Sequence, residues 1–177
     1  MLLVVVAVAL LAPVIASYNP IANSLVDRLN PPSRAHLFGT DDFGRDVFSR
    51  VVWGARVSLL VAAVIVSVAA LGGGAVGLVS GYLGGRLDQA VMRMVDMMLA
   101  FPALLLALAL MAGLGSSLLN VILAITVAFL PRFARLQRAV TLAVREREFV
   151  TAAVALGSSQ GRVLLRHVAP NCLAPPS

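Results

Sequence analysis

The residues able to do chemistry are few in this chain, and their spacing does not favour it. His36 and His167 lie in separate loops, and Cys172 is the single cysteine. They form no ligand set for a transition metal, and one cysteine makes no intrachain disulfide. Neither histidine is placed to activate a serine or the cysteine. Asp41, Asp42 and Asp46 crowd a glycine-bearing turn in the manner of a calcium loop, but EF-hand spacing is absent and Arg45 intrudes. Met92, Met94, Met97 and Met98 have no cysteine beside them and read as gap-filling side chains, not soft-metal ligands. No Gly-x-x-x-x-Gly-Lys-Ser/Thr run is present to cradle ATP phosphates. The expectation is therefore no catalytic residue, no metal site and no enzyme.

What stands out instead is a polar stretch with a shape, residues 145–171. Thr151, Ala152 and Ala153 open a compact, helix-tolerant run that reaches Leu156. Gly157 stands where a helix would end in the left-handed conformation. Ser158 and Ser159 follow and can cap a second helix, which Pro170 stops or kinks. The result is a short, small-faced helix on a tight turn, suited to docking in a groove of a partner protein.

The elements that must position this stretch are apolar. Of 177 residues, 60% are hydrophobic and the mean hydropathy is +0.95, against about 45–50% apolar in a soluble domain. The excess comes in long blocks, which marks an integral membrane protein. The net charge is +6, and all 14 basic residues are arginines. They flank apolar spans without interleaved aromatics, so they set topology rather than bind nucleic acid.

In chain order, residues 1–16 read as a first transmembrane helix, incomplete at its start. Residues 17–56 form a polar loop that ends in an amphipathic helix from Arg45 to Arg56, with Trp53 suited to the water–lipid interface. Val57 to Ser80 offers 24 uncharged residues, about 36 Å of helix. Gly73, Gly77 and Gly81 recur every fourth residue and would let another helix approach closely. Gly81 to Met98 is a polar re-entry, Leu99 to Ala112 a further span entered through Phe101-Pro102, and Gly113 to Ser117 a turn. Leu118 to Leu130 re-enters the membrane, with Pro131 as a kink or boundary. Seven of the 14 arginines lie between Arg132 and Arg166, which places that region in the cytoplasm and residues 17–56 outside.

Two motifs carry a resemblance. Ala152-Ala153, Gly157 and Pro170 fall on the Glu-Ala-Ala…Gly…Pro loop pattern of ABC-importer permeases, with Thr151, His167 and Ala169 departing from it. The wider run from Glu148 to Gly157, followed by His167-Val168-Ala169-Pro170-Asn171, is similar to the peptide and nickel branch. So is Gly39-Thr40-Asp41-Asp42-Phe43-Gly44-Arg45-Asp46, with Trp53-Gly54-Ala55-Arg56 after it, in the segment before the second helix of C-type permeases. The chain thus resembles the C-type permease subunit of dipeptide, oligopeptide and nickel importers.

The resemblance implies an all-α polytopic transmembrane bundle of the type I importer kind, with about four spans present and the last spans missing after Ala174-Pro175-Pro176-Ser177. It implies a permease core over 57–177, with an ATPase-coupling loop at 145–171 that includes Glu148, Thr151, Ala152, Ala153, Gly157, Ser158 and Pro170. The implied partners are a sister permease subunit, two ABC ATPase subunits that use the ATP, an extracytoplasmic substrate-binding protein and the lipid bilayer of a bacterial plasma membrane. This chain itself would bind no cofactor. The alternative of another class is a membrane scaffold or assembly protein without a transport pathway of its own. A secondary transporter would need ionisable groups inside its spans, and the three clearest spans have none.

Overall fold

The computed structural model describes residues 2–173, which are helical wherever they are regular; Ala174 to Ser177 lie outside the described residues. Contacts divide the chain into two compact units, residues 1–63 and 64–177. The first opens with α1 (Leu2–Leu10) and α2 (Ala12–Ile15), Pro13 standing in the first turn of α2, where its missing N–H costs nothing.

The polar loop that follows is held by side chains substituting for a sheet. Asn30 donates its backbone N–H to Thr40 Oγ1 at 2.9 Å, and Thr40 returns its own N–H to the Asn30 carbonyl at 3.0 Å. Asp41 Oδ1 accepts from the amides of Phe43 (2.9 Å) and Arg45 (3.0 Å), while Arg45 Nε donates to Oδ2 at 2.8 Å and Arg50 also reaches Oδ2. Desolvation pushes the Asp41 carboxyl up, but the two amides and the Arg45 guanidinium outweigh it and hold it down at about 2. Asp46 accepts from the Ser49 amide at 2.7 Å and from His36 Nδ1 at 3.0 Å, so it caps the helix that starts at Val47. Desolvation raises its pKa as well, and the Ser49 and His36 bonds bring it below the ordinary value.

That helix, α3 (Val47–Leu83), corrects one expectation. The amphipathic helix ending at Arg56 and the span starting at Val57 are a single element of 37 residues. Gly54 is the one residue near the junction that disfavours helix, and an isolated glycine costs only about 1 kcal/mol.

The second unit takes the rest of α3 and adds α4 (Gly85–Leu99), α5 (Ala103–Leu114) and α6 (Leu118–Arg145). Then come α7 (Glu148–Ala155), α8 (Gln160–Arg162), a π-helical turn (Val163–Val168) and α9 (Ala169–Leu173). α3 and α6 are each long and apolar enough to cross a membrane. α4 and α5 meet at 90° and reach that length only as a pair. Pro102 is the hinge: it stands at the N-cap of α5, in extended conformation, and the residue before a proline resists the helical region. α6 runs through Pro131, so that proline is neither boundary nor stop. It is buried, a setting in which neighbouring helices tolerate the lost backbone bond.

Two apolar clusters hold this unit. Ala107, Ala124 and Ala128 close the α5–α6 hairpin, with Leu106, Leu110 and Ile125 around them. Tyr82, Val144, Val150, Ala153, Val163 and Val168 form the other, at the ends of α3 and α6. Many large apolar side chains elsewhere point outward: Leu71, Leu104 and Leu119 are 76%, 71% and 64% exposed. A soluble fold would be penalised for such a surface; a lipid-facing one is stabilised by it.

Candidate coupling site

The hairpin of α7 and α8 is built on a well-formed helix end. The Ser158 amide bonds to the Ala153 carbonyl at 3.2 Å and the Gly157 amide to the Val154 carbonyl at 2.9 Å. These two bonds, with φ of +81° at Gly157, make a Schellman turn. Only glycine takes that φ without strain. Ser159 holds the N-cap position of α8 but makes no side-chain cap bond, and Ser158 is not the cap. The turn geometry comes from Gly157, not from the serines.

The faces of α7 are sharply divided. Val150 and Ala153 are buried, at 3% and 9% exposure, while Glu148, Thr151, Ala152, Val154 and Ala155 are exposed. Leu156 at the tip is 87% exposed. Ala153 is therefore no part of an outward docking surface. It packs into the cluster with Tyr82 and Val163, because the helical period turns residues 150 and 153 to one side and 151, 152 and 155 to the other.

Of the stop or kink expected at Pro170, the stop does not occur. The helical run neither stops nor breaks there; it widens into the π-turn over Val163–Val168, with the Ala169 amide bonding to the Leu164 carbonyl, and continues to Leu173. Proline lacks an N–H and its ring crowds the carbonyl four residues earlier, and a wider turn relieves both problems. Pro170 itself is exposed.

Beneath the hairpin, three helix ends are pinned together. Arg145 Nη1 donates to the Gly81 carbonyl (3.2 Å) and the Tyr82 carbonyl (2.9 Å). The Tyr82 hydroxyl donates to Gln160 Oε1 at 2.6 Å. Neither Tyr82 nor Gln160 stood out in the sequence, since no local pattern marks a pairing across 78 positions.

The glycine face and the arginine face both meet on α6. A Cβ placed on Gly77 would collide with the Ala134 carbonyl oxygen and stand 2.9 Å from the Arg138 amide. One on Gly73 would collide with the Leu130 carbonyl and stand 2.9 Å from Phe133 Cβ. At Gly81 the nearest atoms, on Arg138 and Thr141, would be at 3.2 Å. From α4, Asp88 receives both Arg138 Nε and Nη2 at 2.6 Å, and Asp96 pairs with Arg135. Arg135 and Arg138, read in the sequence only as topology-setting charge, are thus bound into the structure.

Comparison with known proteins agrees with this architecture. Residues 73–175 match the family described as binding-protein-dependent transport system inner membrane component. The dipeptide transport system permease protein DppC of Alkalihalophilus pseudofirmus is 45% identical over 95% of this chain and 55% of its own length. DppC of Haemophilus influenzae is 39% identical over 98% of this chain and 61% of its own length. The glutathione transport system permease protein GsiD of Pectobacterium atrosepticum is 37% identical over 97% of this chain and 58% of its own. The chain thus spans somewhat over half the length of the relatives it matches. With an all-helical fold, two helices able to cross a membrane and that match over more than half its residues, the chain belongs to the family of inner membrane components of binding-protein-dependent transport systems.

Proposed function

We propose that this chain is a membrane-spanning permease subunit of an ATP-driven importer of di- or oligopeptides, and that α7 with its turn is where partner ATPases engage it. The observation that carries the coupling role is the tip at Leu156: an apolar side chain, 87% exposed, on a helix end fixed by the two Schellman bonds and backed by an apolar cluster. A rigid apolar knob of this kind fits a pocket in a partner with little ordering cost. The dipeptide and glutathione systems named among its relatives support peptides as the substrate class; a nickel solute has no comparable support there.

In this reading the assembly holds a second, similar permease subunit, two ATPase subunits and an external substrate-binding protein. ATP is bound by the ATPases, not by this chain. The arginine-rich end of α6 and the hairpin face the cytoplasm, and the loop over residues 17–46 faces outward, in a bacterial plasma membrane. Closure of the ATPase pair pulls the hairpins together and favours one orientation of the spans, which works only through contacts that differ between the two states.

The test uses Ala152→Arg and Leu156→Asp in the transporter assembled in vesicles. Both side chains are exposed, so insertion and folding should be normal. Peptide uptake and peptide-stimulated ATP hydrolysis should fall by roughly tenfold or more, the scale of losing one interface anchor. Wild-type uptake by both variants would remove the coupling role.

A further inference from the structure

The apolar cluster under the hairpin explains why the hairpin stays attached, but not how a pull on it would be given a direction. Burial of Val150, Ala153, Val163 and Val168 is favourable in many relative placements, because the hydrophobic effect is non-directional. One polar contact at its edge is different. Tyr82 is the next-to-last residue of α3 and is 7% exposed. Its ring belongs to the cluster, and its hydroxyl leaves the cluster to meet Gln160, the first residue of α8 after the turn. This hydrogen bond, at 2.6 Å, has a preferred direction and weakens steeply when bent, as the apolar contacts around it do not.

The same end of α3 is braced from a second side. The carbonyls of Gly81 and Tyr82 lie in its last turn, where no intrahelical amide remains to bond them. Arg145, the last residue of α6, donates to both, and its charge suits the negative end of the α3 dipole. Next to these contacts lies an open cleft lined by Leu83, Arg145, Thr151, Val154 and Gln160, so the joint sits at the rim of the cluster and not within it.

We propose that the Tyr82–Gln160 hydrogen bond, braced by Arg145, is the joint through which movement of the α7–α8 hairpin is delivered to α3. Tyr82 and Gln160 are positioning residues: neither touches substrate, and neither lies on the exposed face of α7. The inference rests on the coupling role proposed above, and it assigns the transmission to one pair of side chains and to one helix.

The experiment compares Tyr82→Phe, Gln160→Leu, the double variant and Gln160→Glu in the purified transporter containing this chain, reconstituted in lipid. Tyr82→Phe keeps the ring and removes only the donor; Gln160→Glu keeps an acceptor. The expected result is a loss of peptide stimulation of ATP hydrolysis of about fivefold in each single variant, the scale of one hydrogen bond as a coupling term. The double variant should lose no more than either single one, and Gln160→Glu should hold near the wild-type level. The ATPase subunits should co-purify in wild-type ratio throughout. Unchanged stimulation in Tyr82→Phe, or additive losses in the double variant, would overturn the joint and leave the docking role standing. Loss of the ATPase subunits from the single variants would also overturn it, by making the pair part of the dock. A wild-type assembly without peptide-stimulated hydrolysis would overturn the coupling role, and the joint with it.

Discussion

α6 is held on two sides by opposite means. On the side of α3 the means is shape. Gly73, Gly77 and Gly81 present no Cβ to α6, and the α6 backbone at Leu130, Ala134 and Arg138 fills the space. On the side of α4 the means is charge, with Asp88 gripping Arg138 through two bonds of 2.6 Å and Asp96 reaching Arg135. In lipid, helices gain nothing from excluding water from one another, so close backbone approach supplies van der Waals contact instead. A charged side chain drawn in among membrane helices is costly unless it is paired. A shape contact has no tolerance for added volume and no response to salt; a charge contact accepts small displacements but fails when one partner is lost.

The largest effect should come from overfilling the shape contact. Gly77→Leu should destabilise the bundle by about 3 kcal/mol, at the upper end for overpacking, because its Cβ meets main chain that cannot rotate away. Thermal unfolding in detergent should show a clearly lower midpoint, the same at low and high salt. A salt-dependent loss would mean that the two sides of α6 are not independent.

A smaller effect is expected from breaking the better-buried ion pair. Asp88→Ala leaves Arg138 without its carboxylate. The pair is only partly shielded, with Asp88 at 9% and Arg138 at 33% side-chain exposure. The cost should be about 1–2 kcal/mol, below the 3–5 of a fully buried pair. Asp88→Ala combined with Arg138→Met should recover part of that loss, and no recovery would show that the two residues act separately. The Asp96–Arg135 pair is 58% exposed at both partners. Asp96→Ala should cost less than about 1 kcal/mol, and added salt should erase the difference from wild type.

The smallest effect tests carboxylates held by backbone amides, away from α6. The Asp41 pKa lies at about 2, below its ordinary 3.8. A depressed carboxylate contributes its stabilisation fully above the unfolded pKa and loses it as pH falls through the folded one. Protection of the Phe43 and Arg45 amides, both bound to Asp41, should therefore fall between pH 4 and pH 2. Asp41→Asn should flatten that dependence. Gly73 and the α6 atoms it meets, at Leu130, Phe133 and Ala134, carry no titrating group, and that part of the crossing should not respond over this range.

How far each part was legible follows from the range of the interactions. The Schellman turn at Gly157 is set by neighbours within five positions, and it is visible in the residue order. The small-residue period of Gly73, Gly77 and Gly81 is equally visible; that α6 is what fills it is not. The break expected at Arg56 is absent because nothing there opposes helix strongly enough. Pro131 read as a kink or boundary and Pro170 as a stop or kink; neither ends its helix, since α6 runs on at one and a π-turn precedes the other. Proline marks a local cost; the surroundings decide whether it ends a helix.

The sequence by itself determined the class of the molecule, the apolar helices, the helical period and the turn at Gly157. Each of these depends on composition or on contacts between near neighbours. The tertiary structure alone decided that Ala153 faces inward and leaves the exposed tip to Leu156. It also decided that Arg138 meets Asp88 across 50 positions and that Tyr82 meets Gln160 across 78. Those outcomes depend on the rotation and crossing of whole helices, which are set by many weak contacts at once, and no short run of residues encodes them.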